Sequence, residues 1–338
     1  MAEGGPIFEP RKRKSLWNFG VGAGLLGAFL FSVRYAMRRP AQWLVPDSIS
    51  PAIFATRVLH TTPGQIVYHE SGSGQPLLFV HGIYPGASSY EWSKVYPAFA
   101  SRFRVLAPDW IGCGESQRPK VRLFAADYVR MLAEFVHATC GQERPILIGS
   151  GLGAGFCVYL ASQHPELVSR LILFMPTAQR DLGRRRLSWQ MKLASRVPVL
   201  NRLLYRNHHV TRVAVRDWLA GQVFVDPSLV TEEMVDVLTT CGRQYGAEYS
   251  ILNLFAGRLG FDLEARMETL AQPVTLLWGD QAMFPQLEWA YRLQPAIPHC
   301  NLLILEKSGP LAPLEAPGRL IEILRAQLES ELGVFKVV

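Results

Sequence analysis

Residues Leu147–Ala154 read LIGSGLGA, and this stretch carries the strongest structural signal in the 338-residue chain. An apolar run that ends in closely spaced glycines is typical of a buried strand that turns sharply into a helix. The stretch matches the motif G-x-S-x-G, in which the residue at the apex of the turn is the nucleophile and the flanking glycines avoid clashes. Gly149 and Gly153 occupy the flanks, but the apex is Gly151, which has no side chain. Ser150 lies one residue before the apex.

Further motifs stand at the ends of other predicted strands. In chain order they are HG at 81–82, DWIGCGES at 109–116, LLWGD at 276–280 and EKSG at 306–309. Together with the glycine turn, these motifs resemble the α/β-hydrolase family over residues 61–330. The resemblance implies an α/β fold with a mostly parallel sheet flanked by helices. It also implies a helical cap inserted over the site.

The resemblance indicates where the catalytic triad of this family should stand. The nucleophile position is Gly151, the acid position is Ala282, and the histidine position is Pro310. Serine attack needs an adjacent base, and that base needs a third group to hold its tautomer, so these three residue types cannot perform the reaction. We therefore expect a pseudo-hydrolase, a member of the family that lacks the triad.

Residues around the glycine turn remain candidates for ligand binding or residual chemistry. Ser150 is a candidate displaced nucleophile, but the sequence reveals no general base to activate it. His81 is close to the pocket in the family, where its usual role is to shape the loop. The backbone amides of Ile83 and Leu152 would form an oxyanion hole. We predict a ligand site formed by His81, Gly82, Ile83, Ser150, Gly151 and Leu152.

No metal and no cofactor are expected. Residues Gly149–Ala154 also match the dinucleotide motif G-x-G-x-x-A, but no acidic residue ends the following strand to hold a ribose. A nucleotide is therefore disfavoured.

Two hypotheses for function follow. The first, which we favour, is a binding or scaffold protein for an apolar ligand or a membrane partner, without hydrolase chemistry. The second is an α/β-fold hydrolase or lyase that acts on an ester or amphipathic substrate with a non-standard active site. A general base in the pocket would distinguish them.

The N-terminal region predicts a membrane anchor. Leu16–Val33 is an uncharged run of 18 residues, which as a helix is about 27 Å long and close to the thickness of the hydrocarbon layer. Basic residues precede and follow it. A cleaved signal peptide is the alternative, but the run is long and no A-x-A site follows. We predict a basic tail at 1–15 and a single-pass anchor at 16–35.

Topology and helix partners remain open. Small residues spaced four apart within the run, such as Gly20 and Gly24, favour association with another membrane helix or a second copy, although such residues are also simply tolerated there. Four basic residues precede the run and three follow it, which favours a cytoplasmic N terminus and therefore an external domain. Five scattered cysteines, unlike a disulfide framework, favour the cytoplasmic side. We favour the cytoplasmic side.

The rest of the chain reads as one globular domain. We predict a linker at 36–62, a core in two parts at 63–176 and 272–332, and a helical cap at 177–271. The predicted strands are Ile66–Glu70, Leu77–His81, Arg104–Pro108, Ile146–Gly149, Leu171–Met175, Val274–Trp278 and Leu302–Glu306.

The beginning of the cap is strongly basic. Between Arg180 and Arg216 there are ten Lys or Arg residues and one acid, Asp181. Apolar residues are interleaved with the charges, so the segment predicts either docking onto anionic lipid or a solvated cap helix with its apolar face on the core. Nucleic acid is disfavoured because no reader module accompanies the basic stretch.

Overall fold

A computed structural model describes residues 54–178 and 202–329 of the chain. Within these ranges eight strands form a single sheet in the order β1-β2-β4-β3-β5-β6-β7-β8. The strands are β1 Ala55–Thr61, β2 Gly64–Ser71, β3 Pro76–Val80, β4 Arg104–Pro108, β5 Ile146–Ser150, β6 Arg170–Phe174, β7 Val274–Gly279 and β8 Cys300–Leu305. The pairs β1/β2 and β2/β4 are antiparallel, and every other neighbouring pair is parallel.

Helices flank this sheet and make up most of residues 202–271, the main described part of the connection between β6 and β7. They are α1 Ala125–Cys140, α2 Gly151–Gln163, α3 Arg212–Trp218, α4 Glu232–Arg243, α5 Glu248–Phe255, α6 Leu263–Met267, α7 Leu287–Leu293, α8 Ala312–Glu315 and α9 Pro317–Glu329. The predicted mostly parallel sheet flanked by helices is therefore confirmed.

The central strands form the core of the domain. Every residue of β3, β5, β6 and β7 is buried. Continuous apolar runs are expected where a parallel sheet is covered on both faces. The register pairs Val80 of β3 with Gly149 of β5, and Ser150 with Phe174 of β6. This register brings the carboxyl ends of three adjacent strands together, so their following loops meet at one edge of the sheet.

Each of the seven predicted strands is present, and one strand was missed. Residues Ala55–Thr61, which the sequence placed in the linker, pair along their whole length with β2. Their side chains are exposed or half-buried. An edge strand of this kind carries no clear apolar alternation, because it is held by backbone pairing to its neighbour.

The described part of the predicted cap, residues 202–271, is helical. At its beginning, Arg212 forms ion pairs with Glu232 and Asp236, and Arg216 pairs with Glu232. These two arginines are therefore engaged with α4 of the cap itself. The earlier part of the basic stretch, residues 180–201, lies outside the described residues.

Across residues 54–178 and 202–329, no helix is both long enough and apolar enough to cross a bilayer. The predicted basic tail and anchor, and the small-residue pairs within the anchor, lie outside the described residues, as does most of the predicted linker.

Candidate functional site

The turn between β5 and α2 has the geometry that its glycines predict. Gly151 has φ of +51°, in the left-handed region. A Cβ on Gly149 would lie 2.8 Å from the Cα of Ala154, and a Cβ on Gly153 would lie 2.2 Å from the carbonyl oxygen of His81. Both flanking positions therefore require glycine for close backbone packing.

The apex differs from its flanks because it has room for a side chain. A Cβ built on Gly151 has no other atom within 4 Å, so the space in front of the apex is open. Of the other two positions that the resemblance assigned to the triad, Pro310 lines the same cavity. Ala282 is buried in the loop after β7.

A cavity of about 200 Å³ lies in front of this turn. Five of the six predicted ligand-site residues line it, namely Gly82, Ile83, Ser150, Gly151 and Leu152. Its apolar wall consists of Met175, Trp218, Val223, Phe284, Pro285 and Leu311.

Met175 has φ of +46°, although it is not a glycine. A left-handed conformation is strained for such a residue, and strain of this kind clusters at functional sites. Met175 thus combines a strained backbone conformation with a place in the wall of the cavity.

His81, the sixth predicted residue, does not belong to the cavity lining. Its ring is fully buried, its Nδ1 lies 2.6 Å from the carbonyl oxygen of Gly82, and its Nε2 accepts a hydrogen bond from the Trp110 amide at 3.1 Å. Burial lowers its pKa, so the ring is held neutral with both nitrogens occupied. His81 therefore holds the loop after β3 and does not line this cavity.

The structure adds a group that the sequence did not reveal, the carboxyl group of Glu91. Glu91 lies in a single-turn 3-10 helix, Ser89–Trp92, after β3. This turn is fixed at both ends: the Ser89 amide donates to Asp109 at 2.6 Å, and the Trp92 indole donates to the carbonyl oxygen of Val80 at 3.2 Å. The Glu91 side chain is thereby held against the glycine turn.

Glu91 is buried, lines the cavity, and accepts three hydrogen bonds. The Ser150 hydroxyl donates to its Oε1, the Gly82 amide donates to its Oε2 at 2.9 Å, and the Tyr84 hydroxyl is the third donor. Burial raises the pKa of Glu91 to about 7, against the lowering effect of these three donors. Near neutral pH this carboxyl group therefore exchanges a proton readily, which is the property of a general acid or base.

Burial and the contact with Glu91 raise the pKa of Tyr84 well above its ordinary value. Tyr84 therefore stays protonated and acts as a hydrogen-bond donor. The result is a compact polar group on one wall of an otherwise apolar cavity, composed of Glu91, Ser150 and Tyr84.

Sequence reasoning found Ser150 but missed Glu91 and Tyr84. A weak signal was present: Glu91 is the single charged residue in the stretch Tyr84–Trp92, which otherwise consists of aromatic, small and polar residues and one proline. Because 59 residues separate Glu91 from Ser150, only the packing of the first loop against the glycine turn brings them together.

One cluster among the described residues has the types of a metal site. Atoms of His69, Asp109 and Glu115 lie within 4.8 Å of one another. Both carboxylate oxygens of Asp109 already accept backbone amides, from Ser89 and from Glu115. Asp109 therefore serves to fix the turn at 109–116.

Comparison with known proteins agrees with this architecture. The sequence profile of the alpha/beta hydrolase fold matches residues 75–317. An uncharacterised protein of Mycobacterium tuberculosis is 25% identical over 289 residues, covering 83% of each chain. A 2-hydroxymuconate semialdehyde hydrolase of a Pseudomonas species is 39% identical over 106 residues, which is 31% of this chain and 38% of that protein.

Among solved structures, a variant of a meta-cleavage product hydrolase from Pseudomonas fluorescens matches with a TM-score of 0.68 and 21% identity, covering 81% of this chain and 98% of that one. The profile spans most of the chain. The protein therefore belongs to the alpha/beta hydrolase fold family.

Proposed function

We propose that this protein is a hydrolase of small esters, or of chemically similar carbonyl compounds, in which Ser150 and Glu91 replace the usual triad. The observation that carries the proposal is the hydrogen bond between the Ser150 hydroxyl and the buried Glu91 carboxyl group at the wall of the cavity. Relatives that are named as hydrolases add support.

The chemistry begins with ionised Glu91. It takes the proton of Ser150 as the serine oxygen attacks the carbonyl carbon of the substrate, and the carbonyl oxygen becomes an oxyanion. In this proposal the backbone amides of Ile83 and Leu152, two residues that line the cavity, stabilise that charge. The amide of Leu152 is one of the first four of α2, which have no acceptor within the helix.

Protonated Glu91 then returns the proton to the leaving alcohol, and the carbon–oxygen bond of the ester breaks. A water molecule gives its proton to Glu91 and attacks the acyl-serine. Glu91 then returns that proton to the serine oxygen as the bond between this oxygen and the acyl carbon breaks, which releases the acid and restores Ser150. Glu91 in this scheme acts as both base and acid, as a carboxyl group with a pKa near 7 is suited to do.

The size of the cavity limits the substrate. A volume of about 200 Å³ is below the roughly 300 to 1,000 Å³ of ligand pockets that enclose drug-sized molecules. We therefore expect short acyl groups to be preferred to long ones.

The test is turnover of p-nitrophenyl acetate and p-nitrophenyl decanoate by the detergent-purified full chain and by Ser150→Ala. We expect turnover of the acetate that falls at least about 100-fold in the variant. Equal rates for the two proteins would exclude Ser150 as the nucleophile.

The second candidate function is binding without catalysis. It is favoured by the apex of the glycine turn, where Gly151 leaves an open space and no nucleophile. Absence of ester turnover, with co-purification of an apolar ligand that Gly151→Phe prevents, would support this function.

The membrane anchor at 16–35, with the soluble domain on the cytoplasmic side, remains a proposal based on sequence. It is tested by fractionation of cells and by protease treatment of intact and of permeabilised cells. Release of the full chain by alkaline carbonate would contradict an integral anchor, and digestion from the outer face would contradict the orientation.

A further inference from the structure

A group of side chains able to bind a metal lies at the carboxyl end of β4, outside the cavity. His69 is on β2, Asp109 directly follows β4, and Glu115 lies in the turn at 109–116. The antiparallel register pairs His69 with Ala107, so the sheet itself places this histidine beside the turn. One imidazole and two carboxylates from three parts of the chain therefore meet at one point.

The two ring nitrogens of His69 have different surroundings. Nδ1 lies 3.3 Å from the hydroxyl oxygen of Thr56, which is the cross-strand partner of His69 on β1. This hydroxyl can accept the Nδ1 proton, which leaves the lone pair of Nε2 on the side of Glu115. Metal-binding histidines are commonly held in this way, with an acceptor at the second ring nitrogen.

The Nε2 atom of His69 is buried and makes no hydrogen bond among the residues that the structure describes, and the residue as a whole is only 2% exposed. The Oε2 atom of Glu115 is 3.4 Å away, which is long for a hydrogen bond. Bonds of about 2.0 to 2.2 Å at a tetrahedral zinc ion place neighbouring ligand atoms about 3.3 to 3.6 Å apart. The distance between Nε2 and Oε2 is therefore that of two ligands on one ion.

Asp109 is the third candidate ligand. Its two oxygens accept the amides of Ser89 and Glu115, but an ionised carboxylate offers about four lone-pair sites. Carboxylates that bind metals are typically held by such hydrogen bonds. The Arg118 guanidinium also attracts Asp109, so His69 and Glu115 would hold the ion most strongly.

The geometry also allows an ion to enter. Ligand atoms of all three residues lie within 4.8 Å of one another. The Glu115 side chain is 32% exposed, so it can move to close the site around an ion that arrives from solvent.

We propose that His69, Asp109 and Glu115 form a binding site for a divalent transition metal ion of the zinc class. The imidazole favours such an ion over Mg²⁺ and Ca²⁺, which prefer oxygen ligands. The ion would link β2 to the turn after β4 and stabilise the fold. The sequence did not predict a metal here, because strand pairing alone brings the ligands together. None of the three residues lines the cavity that holds Glu91, so the site does not depend on the proposed hydrolase activity.

The test is titration of the detergent-purified full chain with Zn²⁺, after treatment with EDTA and dialysis, followed by calorimetry and by thermal unfolding. We expect saturable binding and a rise in Tm with Zn²⁺ concentration. His69→Gln should weaken binding at least about tenfold, because a ligand is lost. The matched control is His164→Gln. His164 Nδ1 lies 3.3 Å from Glu166 Oε1 at the surface, but within the described residues this pair belongs to no group of three ligands. This control should bind Zn²⁺ as the wild type does.

Glu115→Gln is the second variant, and it keeps the test valid if the buried His69 proves necessary for folding. It should also weaken Zn²⁺ binding at least about tenfold. Mg²⁺ at the same concentration should leave the Tm of the wild type unchanged, because the site contains an imidazole ligand. Absence of saturable Zn²⁺ binding, equal affinity in the wild type and Glu115→Gln, or tighter binding of Mg²⁺ than of Zn²⁺ would overturn the proposal.

Discussion

The loop after β3 and the segment after β8, which includes α8, each place a buried carboxylate at the same edge of the sheet, but in different surroundings. After β8, Glu315 accepts amides of Gly309, Val225 and Asp226. After β3, Glu91 accepts one amide and two hydroxyl groups, and it lines the cavity. A carboxylate occupied by backbone amides therefore holds segments of the chain together, whereas one bonded to hydroxyl groups at a cavity is available for proton transfer.

The largest expected effect separates these two carboxylates. Glu91→Gln should lower kcat/KM for p-nitrophenyl acetate by about 100-fold to 10,000-fold, because the general base is lost. Glu315→Gln should keep most of the activity and lose about 1 to 3 kcal/mol of stability, because an amide group faces backbone donors. Ester kinetics and denaturant unfolding measure the two effects. Equal loss of activity in both variants would show that Glu91 and Glu315 do not differ in their contribution to catalysis.

The pH dependence sharpens the role of Glu91. Because its ionised form is the base, kcat/KM should rise about tenfold per pH unit below pH 7 and level off above it, following the pKa of about 7. A rate that falls as pH increases through 7 would contradict this assignment.

The raised pKa of Glu91 affects stability in the opposite direction: the free energy of unfolding falls as pH rises. The folded state holds the proton of Glu91 up to about pH 7, whereas the unfolded state releases it near the ordinary value of 4.5. Protonated Glu91 therefore contributes its full stabilisation of the fold, about 3 kcal/mol at most, below about pH 4.5. This contribution is lost as pH rises through 7. Glu91→Gln should remove this decline in urea unfolding measured between pH 5 and 8.

The glycine turn offers a second comparison, between its flank and its apex. Gly153→Ala should destabilise the fold by about 3 kcal/mol or more, because its Cβ would collide with the carbonyl oxygen of His81. Gly151→Ala should cost only about 1 kcal/mol, since space is open and the left-handed φ is the one penalty. Thermal unfolding compares the two variants. A larger loss of stability in Gly151→Ala than in Gly153→Ala would mean that a side chain at the apex does meet other atoms.

The smallest effect concerns the apolar wall of the cavity. Trp218 packs on Tyr84 with ring centroids 5.4 Å apart, and both residues line the cavity. Trp218→Ala should raise the ratio of kcat/KM for the hexanoate ester to that for the acetate several-fold, because the cavity becomes longer. Trp289→Ala, which removes an indole from α7, is the matched control and should leave the ratio unchanged. An unchanged ratio in Trp218→Ala would remove Trp218 from the acyl-binding wall.

The sequence alone was enough to predict seven of the eight strands and the glycine turn, and five of the six residues predicted to bind a ligand line the cavity. These features follow from local patterns: continuous apolar runs specify buried strands, and glycines specify close backbone approach. The close backbone packing at Gly149 and Gly153 could therefore be predicted from the neighbouring sequence alone.

Tertiary structure alone decided the position of β1 and the partners of Glu91. The strand Ala55–Thr61 has exposed or half-buried side chains, so its pairing to β2 leaves no periodic signal. Glu91 acquires a raised pKa because folding removes water from it, and the hydrogen bonds that folding brings from Ser150 and Tyr84 offset only part of this effect. Desolvation and long-range contact depend on packing, which no local run of residues encodes.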